Sequence, residues 1–245
     1  MRKKYSKNRE FAHFEELSNE WWDENGKFKV LHRINPIRIE YIKKQMLSKN
    51  QKNNNYNKKL ANLEILDLGC GGGIICEPLS RLGAKVTGID FVKKNIEVAK
   101  HHAKNSKLKI NYSSQDLNSF NTKKKYDLIL MLEIIEHLEN WQFVVKKILK
   151  NLKSNGKIIF STINRTMYAK FFAIYMAEEI LEIIPKKTHQ YEKLIQPNEL
   201  KQFLKKNNLD IIDTTGLIFN PLKNKWNLDK NKIKINYFCT AKKIS

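Results

Sequence analysis

The chain has 245 residues, 41% of them hydrophobic, which is enough to bury a sizeable core. Its 46 basic residues against 25 acidic give a formal charge of +21, but only six are arginine. That pattern reads as lysine spread over solvated faces, so an anionic membrane surface is expected as a partner and nucleic acid is not. Three cysteines (Cys70, Cys76, Cys239) at unrelated spacings exclude a disulfide framework and a cysteine metal site, which suits a reducing compartment.

In chain order, Met1–Arg9 is basic but lacks the apolar stretch and cleavage site of a secretory signal. Residues 11–24, carrying Phe11, Phe14, Trp21 and Trp22, read as a helix. Asn35-Pro36 reads as a helix start, with Asn as N-cap and Pro at the first helical position. The helix it opens runs to about Leu47 with Ile39, Ile42 and Met46 on its apolar side. Residues 48–62 are polar and of low complexity, as a flexible linker would be.

The apolar run Ile65–Leu68 then ends in the turn Gly69-Cys-Gly-Gly-Gly73. A helix-like spacing follows, then a second apolar run closing on Asp90, 21 positions after Gly69. Glycines let a ligand lie against the backbone, the next helix offers unpaired N–H groups, and the acid can accept ribose hydroxyls. A dinucleotide fingerprint wants a third small residue where this chain has Ile74. Asp67 adds an anion that a pyrophosphate would meet badly. A cationic nucleoside fits better.

Residues 92–104 read as a helix and 108–112 as a strand, followed by Asp116, which caps a turn or faces a ligand. Tyr126–Leu132 is a continuous apolar run, as a parallel strand buried on both faces requires. Next comes Glu133-Ile-Ile-Glu136-His137. If these form a helical turn, Glu133, Glu136 and His137 share one side, a candidate oxygen-rich site for Mg²⁺. His137 could instead serve as a general base, or the acids could simply favour a helix start. Residues 141–152 read as an amphipathic helix, 157–162 as a strand, and 164–190 as an apolar insertion with lysines at its margins. Pro197 opens a helix to about Asn207; 210–217 and 235–241 are strands, and 219–226 carries turn chemistry.

Asp67-Leu-Gly-Cys-Gly-Gly-Gly73 with Gly88-Ile-Asp90 resembles the S-adenosylmethionine (SAM) site of class I methyltransferases. With Trp21-Trp22-Asp23 and Leu31-His-Arg-Ile-Asn-Pro-Ile-Arg38, the chain from about Phe11 onward resembles the ubiquinone-biosynthesis O-methyltransferases. The resemblance implies an α/β fold: a mostly parallel seven-stranded sheet, helices on both faces and an antiparallel strand at the end. Its parts would be a helical cap (1–47), a linker (48–62), a SAM-binding core (63–163), a lid facing the membrane (164–190) and C-terminal strands (191–245).

By the same resemblance SAM is held by Arg38, Gly69, Asp90 and Leu132. Asp67 and Gly71 belong to the same turn, and Asp116 lies beside the adenine. Glu133 and His137 are catalytic, and Glu133, Glu136 and His137 are the Mg²⁺ ligands. The reaction is methylation of catechol hydroxyls on polyprenylated ubiquinone precursors, of the 2-polyprenyl-6-hydroxyphenol and 3-demethylubiquinol types. The protein would sit peripherally on the cytoplasmic face of the membrane, with other enzymes of the pathway as partners. The alternatives are an RNA or protein methyltransferase, suggested by charge, and a non-catalytic SAM-binding scaffold.

Overall fold

The computed structural model describes residues 15–47, 60–169, 191–220 and 222–244. The expected linker and lid fall mostly outside the described residues, at 48–59 and 170–190. Eight strands form one sheet: β1 (Glu64–Leu68), β2 (Lys85–Asp90), β3 (Asn111–Ser114), β4 (Tyr126–Leu132), β5 (Leu152–Ile163), β6 (Leu209–Asn220), β7 (Lys225–Asp229) and β8 (Asn236–Lys243). Their order is β3-β2-β1-β4-β5-β8-β6-β7. The first five are parallel, β8 is antiparallel to both β5 and β6, and β7 is antiparallel to β6.

Side-chain alternation along the central strands explains why both faces are covered. Ile129, Met131, Ile158 and Phe160 point to a face packed by helices α4 (Trp141–Ile148) and α5 (Pro197–Lys206), through Val144, Val145, Ile148, Leu200 and Leu204. Ile65, Leu128, Leu130 and Ile159 point the other way. There they meet Tyr41 and Ile42 of α1 (Lys29–Met46), Leu79 of α2 (Cys76–Arg81), and Ile96 and Ala99 of α3 (Lys93–Asn105). Central strands buried on both faces read as unbroken apolar runs, which is why β4 is visible in the sequence. The chain reverses its winding between β1 and β4, so a crevice opens beyond their carboxyl ends, where α/β sheets bind ligands.

Four local readings change. Asn35-Pro36 does not start a helix: α1 begins at Lys29, and Pro36 lies inside it. An interior proline costs about 3 kcal/mol in an exposed helix. Here α1 buries Val30 and Ile34 before the proline and Tyr41 and Ile42 after it, and that burial offsets the cost. Within 11–24, the described part is a short 3-10 helix (Leu17–Glu20) followed by turns. β3 begins at Asn111 rather than 108. The turn expected at 219–226 is present but shorter, at 222–224, and it joins β6 to an eighth strand, β7. Among the described residues no helix is long and apolar enough to cross a membrane.

Candidate active site

The carboxyl ends of β1, β2, β4 and β5 converge on the glycine turn. Gly69 adopts φ +73 and Gly71 φ +52, and a Cβ on Gly69 would overlap Ile134 Cδ1, so neither position tolerates an ordinary side chain. The Gly69 and Cys70 N–H groups donate to the Ile89 carbonyl at 2.7 and 3.0 Å, which pins the turn to the end of β2. Asp90 then locks it. Its Oδ2 accepts the Gly71 N–H at 3.0 Å, and its Oδ1 accepts the Val92 N–H at 2.8 Å and Asn95 Nδ2 at 3.3 Å. Burial pushes the Asp90 pKa up, and these donors pull it back.

The residues before Lys29 close over this turn. Trp21 lies across Gly71 and Gly72, leaving no room for a Cβ at either, and stacks on Phe28 with centroids 3.9 Å apart. Its indole N–H donates to Asn95 Oδ1 at 2.8 Å, the atom that also accepts Ser18 Oγ at 2.7 Å. Trp22 donates to the Gly72 carbonyl at 2.9 Å and stacks on His102, whose Nδ1 lies 2.6 Å from the buried Glu77 carboxylate. Asn35 serves the same turn: its Nδ2 donates to the Ile74 carbonyl at 2.8 Å. Trp21, Trp22 and Asn95 are the site residues that the sequence did not reveal. The adjacent tryptophans were the available signal, and they read equally well as core.

Four ionisable groups share the crevice. Arg38, on α1, is buried, and its Nε has no hydrogen-bond partner. Burial lowers its pKa against the pull of Glu133, Asp67 and Glu136, in that order. Its Nη2 lies 3.6 Å from Glu133 Oε1, which also accepts Ser161 Oγ at 2.7 Å. Glu133 sits at φ +55 with its N–H on the Ser161 carbonyl. Asp67, buried at the end of β1, is pushed up to about 7 by burial, against Cys76 Sγ donating at 3.2 Å and the Arg38 charge. Glu136 is buried and pushed up to about 8, first by burial and then by the Glu133 charge, with His137 opposing.

The donor set suits SAM. Asp90 is a buried acceptor at the end of β2, Arg38 has a buried unpartnered N–H, and Asp67 is a buried acid near it, the kinds of group a ribose, a carboxylate and a cation call for. Leu132, buried at the end of β4, lies opposite Ser161. The left-handed backbone at Glu133 precedes a 3-10 turn at Ile135–His137, so the three side chains do not share the face of one helical turn as the spacing suggested. Among the described residues no group of three or more His, Cys, Asp or Glu is placed to hold a metal ion. Asp116 Oδ1 accepts the backbone N–H and Nδ2 of Asn118 at 2.9 and 2.8 Å, so at least that oxygen caps its own turn.

Residues 39–214 match a family model described as a methyltransferase domain. The chain is 47% identical over 229 residues to the ubiquinone biosynthesis O-methyltransferase of Pelagibacter ubique (strain HTCC1062), spanning 94% of this chain and 95% of that protein. It is 44% identical to the enzyme of the same description from Rickettsia prowazekii (strain Madrid E), over 97% of this chain and 91% of that one. The chain belongs to the ubiquinone biosynthesis O-methyltransferase family. Among solved structures it resembles magnesium protoporphyrin IX methyltransferase from Synechocystis PCC 6803 with bound SAH, at 18% identity and TM-score 0.61 over 89% of this chain and 85% of that one. A possible histamine N-methyltransferase from Thermotoga maritima aligns with TM-score 0.65 at 16% identity, over 95% and 99%. These two carry the fold and nothing finer. The protein is thus a SAM-dependent methyltransferase with the class I sheet. In the structure Asp67, Gly69, Gly71, Asp90, Arg38, Leu132 and Glu133 lie at the carboxyl ends of the central strands, with Glu136 and His137 on the adjoining turn.

Proposed function

We propose that the protein methylates a phenolic oxygen on the ring of a polyprenylated ubiquinone precursor, with SAM as donor. What supports this most directly is the 47% identity to a ubiquinone biosynthesis O-methyltransferase along 94% of the chain. The convergence of Asp90, Asp67 and Arg38 on the glycine turn agrees with it. When bound, SAM supplies an electrophilic methyl group on a sulfonium. Asp90 would accept the ribose hydroxyls, Arg38 the methionine carboxylate, and ionised Asp67 would face the ligand's positive charge. Gly69 and Gly71 would present their backbone to the nucleoside beside Leu132, and Asp116 would lie beside the adenine.

The protein's other task is to remove the phenol proton. A free phenol titrates near ~10, so an in-line attack is faster from a phenolate. His137 is the proposed base, on the 3-10 turn that follows Glu133. Glu133, held by Arg38 and Ser161, would orient the substrate hydroxyls. Where Mg²⁺ is bound, Glu133, Glu136 and His137 would hold it, and it would stabilise the phenolate in place of the base. A polyprenylated substrate resides in a bilayer, so the enzyme would work peripherally at its anionic surface. The test is steady-state formation of S-adenosylhomocysteine with a short-chain demethylated ubiquinol. Turnover is expected with EDTA present and should fall at least a hundredfold in His137→Gln. No turnover would refute the reading. Turnover that EDTA abolishes and Mg²⁺ restores would replace the base with a metal.

A further inference from the structure

The tryptophans that close over the glycine turn are themselves held from behind. Trp22 gives its indole N–H to the Gly72 carbonyl at 2.9 Å. Its ring lies flat on His102 of α3, with centroids 3.5 Å apart and planes 5° from parallel. Behind His102 stands Glu77, on the helix that leaves the turn, with Oε1 at 2.6 Å from His102 Nδ1. A carboxylate only accepts, so Nδ1 carries the proton there. The Glu77 backbone N–H in turn donates to the Gly73 carbonyl at 3.1 Å. One chain of contacts therefore leaves the turn at Gly72 and returns to it at Gly73.

Packing alone does not call for this arrangement. Glu77 is buried, and an apolar side chain of its size would fill the same space without the cost of desolvating a charge. Arg81, half exposed on the same helix, already pairs with Glu77 Oε2 at 3.1 Å, and it also donates to Ser106 Oγ at 3.1 Å. What the His102 contact adds is direction: it sets the plane of the imidazole, and that plane seats Trp22. An imidazole whose proton is drawn toward a carboxylate is also a favourable partner for an indole face. From the other side His32 of α1 places Nε2 2.8 Å from the Trp21 carbonyl, and its ring is tilted 59° against Trp22 at 6.2 Å.

We propose that His102, oriented by Glu77, is a positioning residue for SAM binding, holding Trp22 on Gly72. Asp90 takes the Gly71 N–H and Trp22 takes the Gly72 carbonyl, so both ends of this dipeptide are pinned. Two adjacent glycines, the first at φ +52, have wide conformational freedom when released. Ordering them before the ligand arrives removes that entropy from the cost of binding.

The test is calorimetric titration of the full chain with SAM, in wild type, His102→Ala, Trp22→Phe and the double variant, with urea denaturation of each. Arg81 keeps the Glu77 carboxylate paired in His102→Ala, which preserves the fold. Phenylalanine at position 22 keeps a ring for the stack but lacks the N–H that reaches Gly72. Each single variant should weaken SAM about five- to tenfold. Because His102 acts through that N–H, the double variant should bind within about twofold of Trp22→Phe. With a short-chain demethylated ubiquinol, His102→Ala should raise the Km for SAM by the same factor and leave kcat within about twofold. This kinetic arm alone rests on the phenolic-substrate reading, whose failure would show as no turnover by wild type while the calorimetric differences stand. Either single variant binding SAM like wild type overturns the proposal. So do losses that multiply in the double variant, or a kcat that falls with the affinity.

Discussion

Replacing Asp90 with Asn isolates the residue that joins turn and ligand. Three donors converge on the carboxylate: the Gly71 N–H on Oδ2, and the Val92 N–H and Asn95 Nδ2 on Oδ1. An asparagine has one acceptor oxygen. If that oxygen keeps Val92 and Asn95, its NH₂ faces the Gly71 N–H donor to donor. A hydrogen bond to a charged group contributes about 1.5–3 kcal/mol, and the ribose hydroxyls lose an acceptor on the same edge. SAM affinity should therefore fall by ~10- to 150-fold, taking one such bond as the difference. Stability should change much less, because the substitution also removes a buried charge whose desolvation is unfavourable. Calorimetric titration with SAM and urea denaturation of the same sample separate the two quantities. A variant that binds SAM within threefold of wild type would refute the role given to Asp90.

Gly69→Ala should destabilise the fold by about 1–3 kcal/mol, from strain at φ +73 and overlap with Ile134, measurable as a lower urea midpoint. Arg38→Lys keeps the charge but not the planar fork, so the Km for SAM should rise about tenfold while kcat stays within threefold. The pH dependence follows from Asp67, whose pKa in the fold, about 7, stands above its ordinary value near 4. The folded state then holds a proton that the unfolded chain releases. Stability is full below about pH 4 for this group and falls as pH rises toward 7, by up to ~1.4 kcal/mol per pH unit, while Glu136 acts in the same direction to about 8. A cation bound beside Asp67 favours its ionised form, so SAM should bind more tightly as pH rises from 6 to 7.5. Affinity flat over that range would remove Asp67 from the ligand's surroundings.

Much of this architecture can be read from local chemistry. The unbroken apolar run of β4 has no other stable home than a sheet covered on both sides, and the 21-residue interval from Gly69 to Asp90 measures one strand–turn–helix–strand unit. Pro197 opens its helix at the first helical position, as the sequence suggests, and the structure adds a capping box between Gln196 and Glu199. What could not be read depends on partners distant in sequence. The start of α1 is set by burial of Val30 and Ile34, which overrides the local preference of Asn-Pro for a helix start. Trp21 reaches its role through Asn95, 74 positions away. Spacing alone suggested one helical turn for Glu133, Glu136 and His137, where the chain has a left-handed residue at Glu133 followed by a 3-10 turn. No periodicity reveals such a residue. β7 has five residues beside a Pro-Leu-Lys-Asn turn, too short for its alternation to stand out.

The central claim, methyl transfer to a ring oxygen, is most directly tested by the position of the label. The enzyme would be incubated with SAM carrying a trideuterated methyl group and a short-chain demethylated ubiquinol, and the product fragmented in a mass spectrometer. The account predicts a single trideuteromethyl group on a ring oxygen, with one S-adenosylhomocysteine formed per label. A label on ring carbon, or no labelled product from a protein that binds SAM, would contradict it.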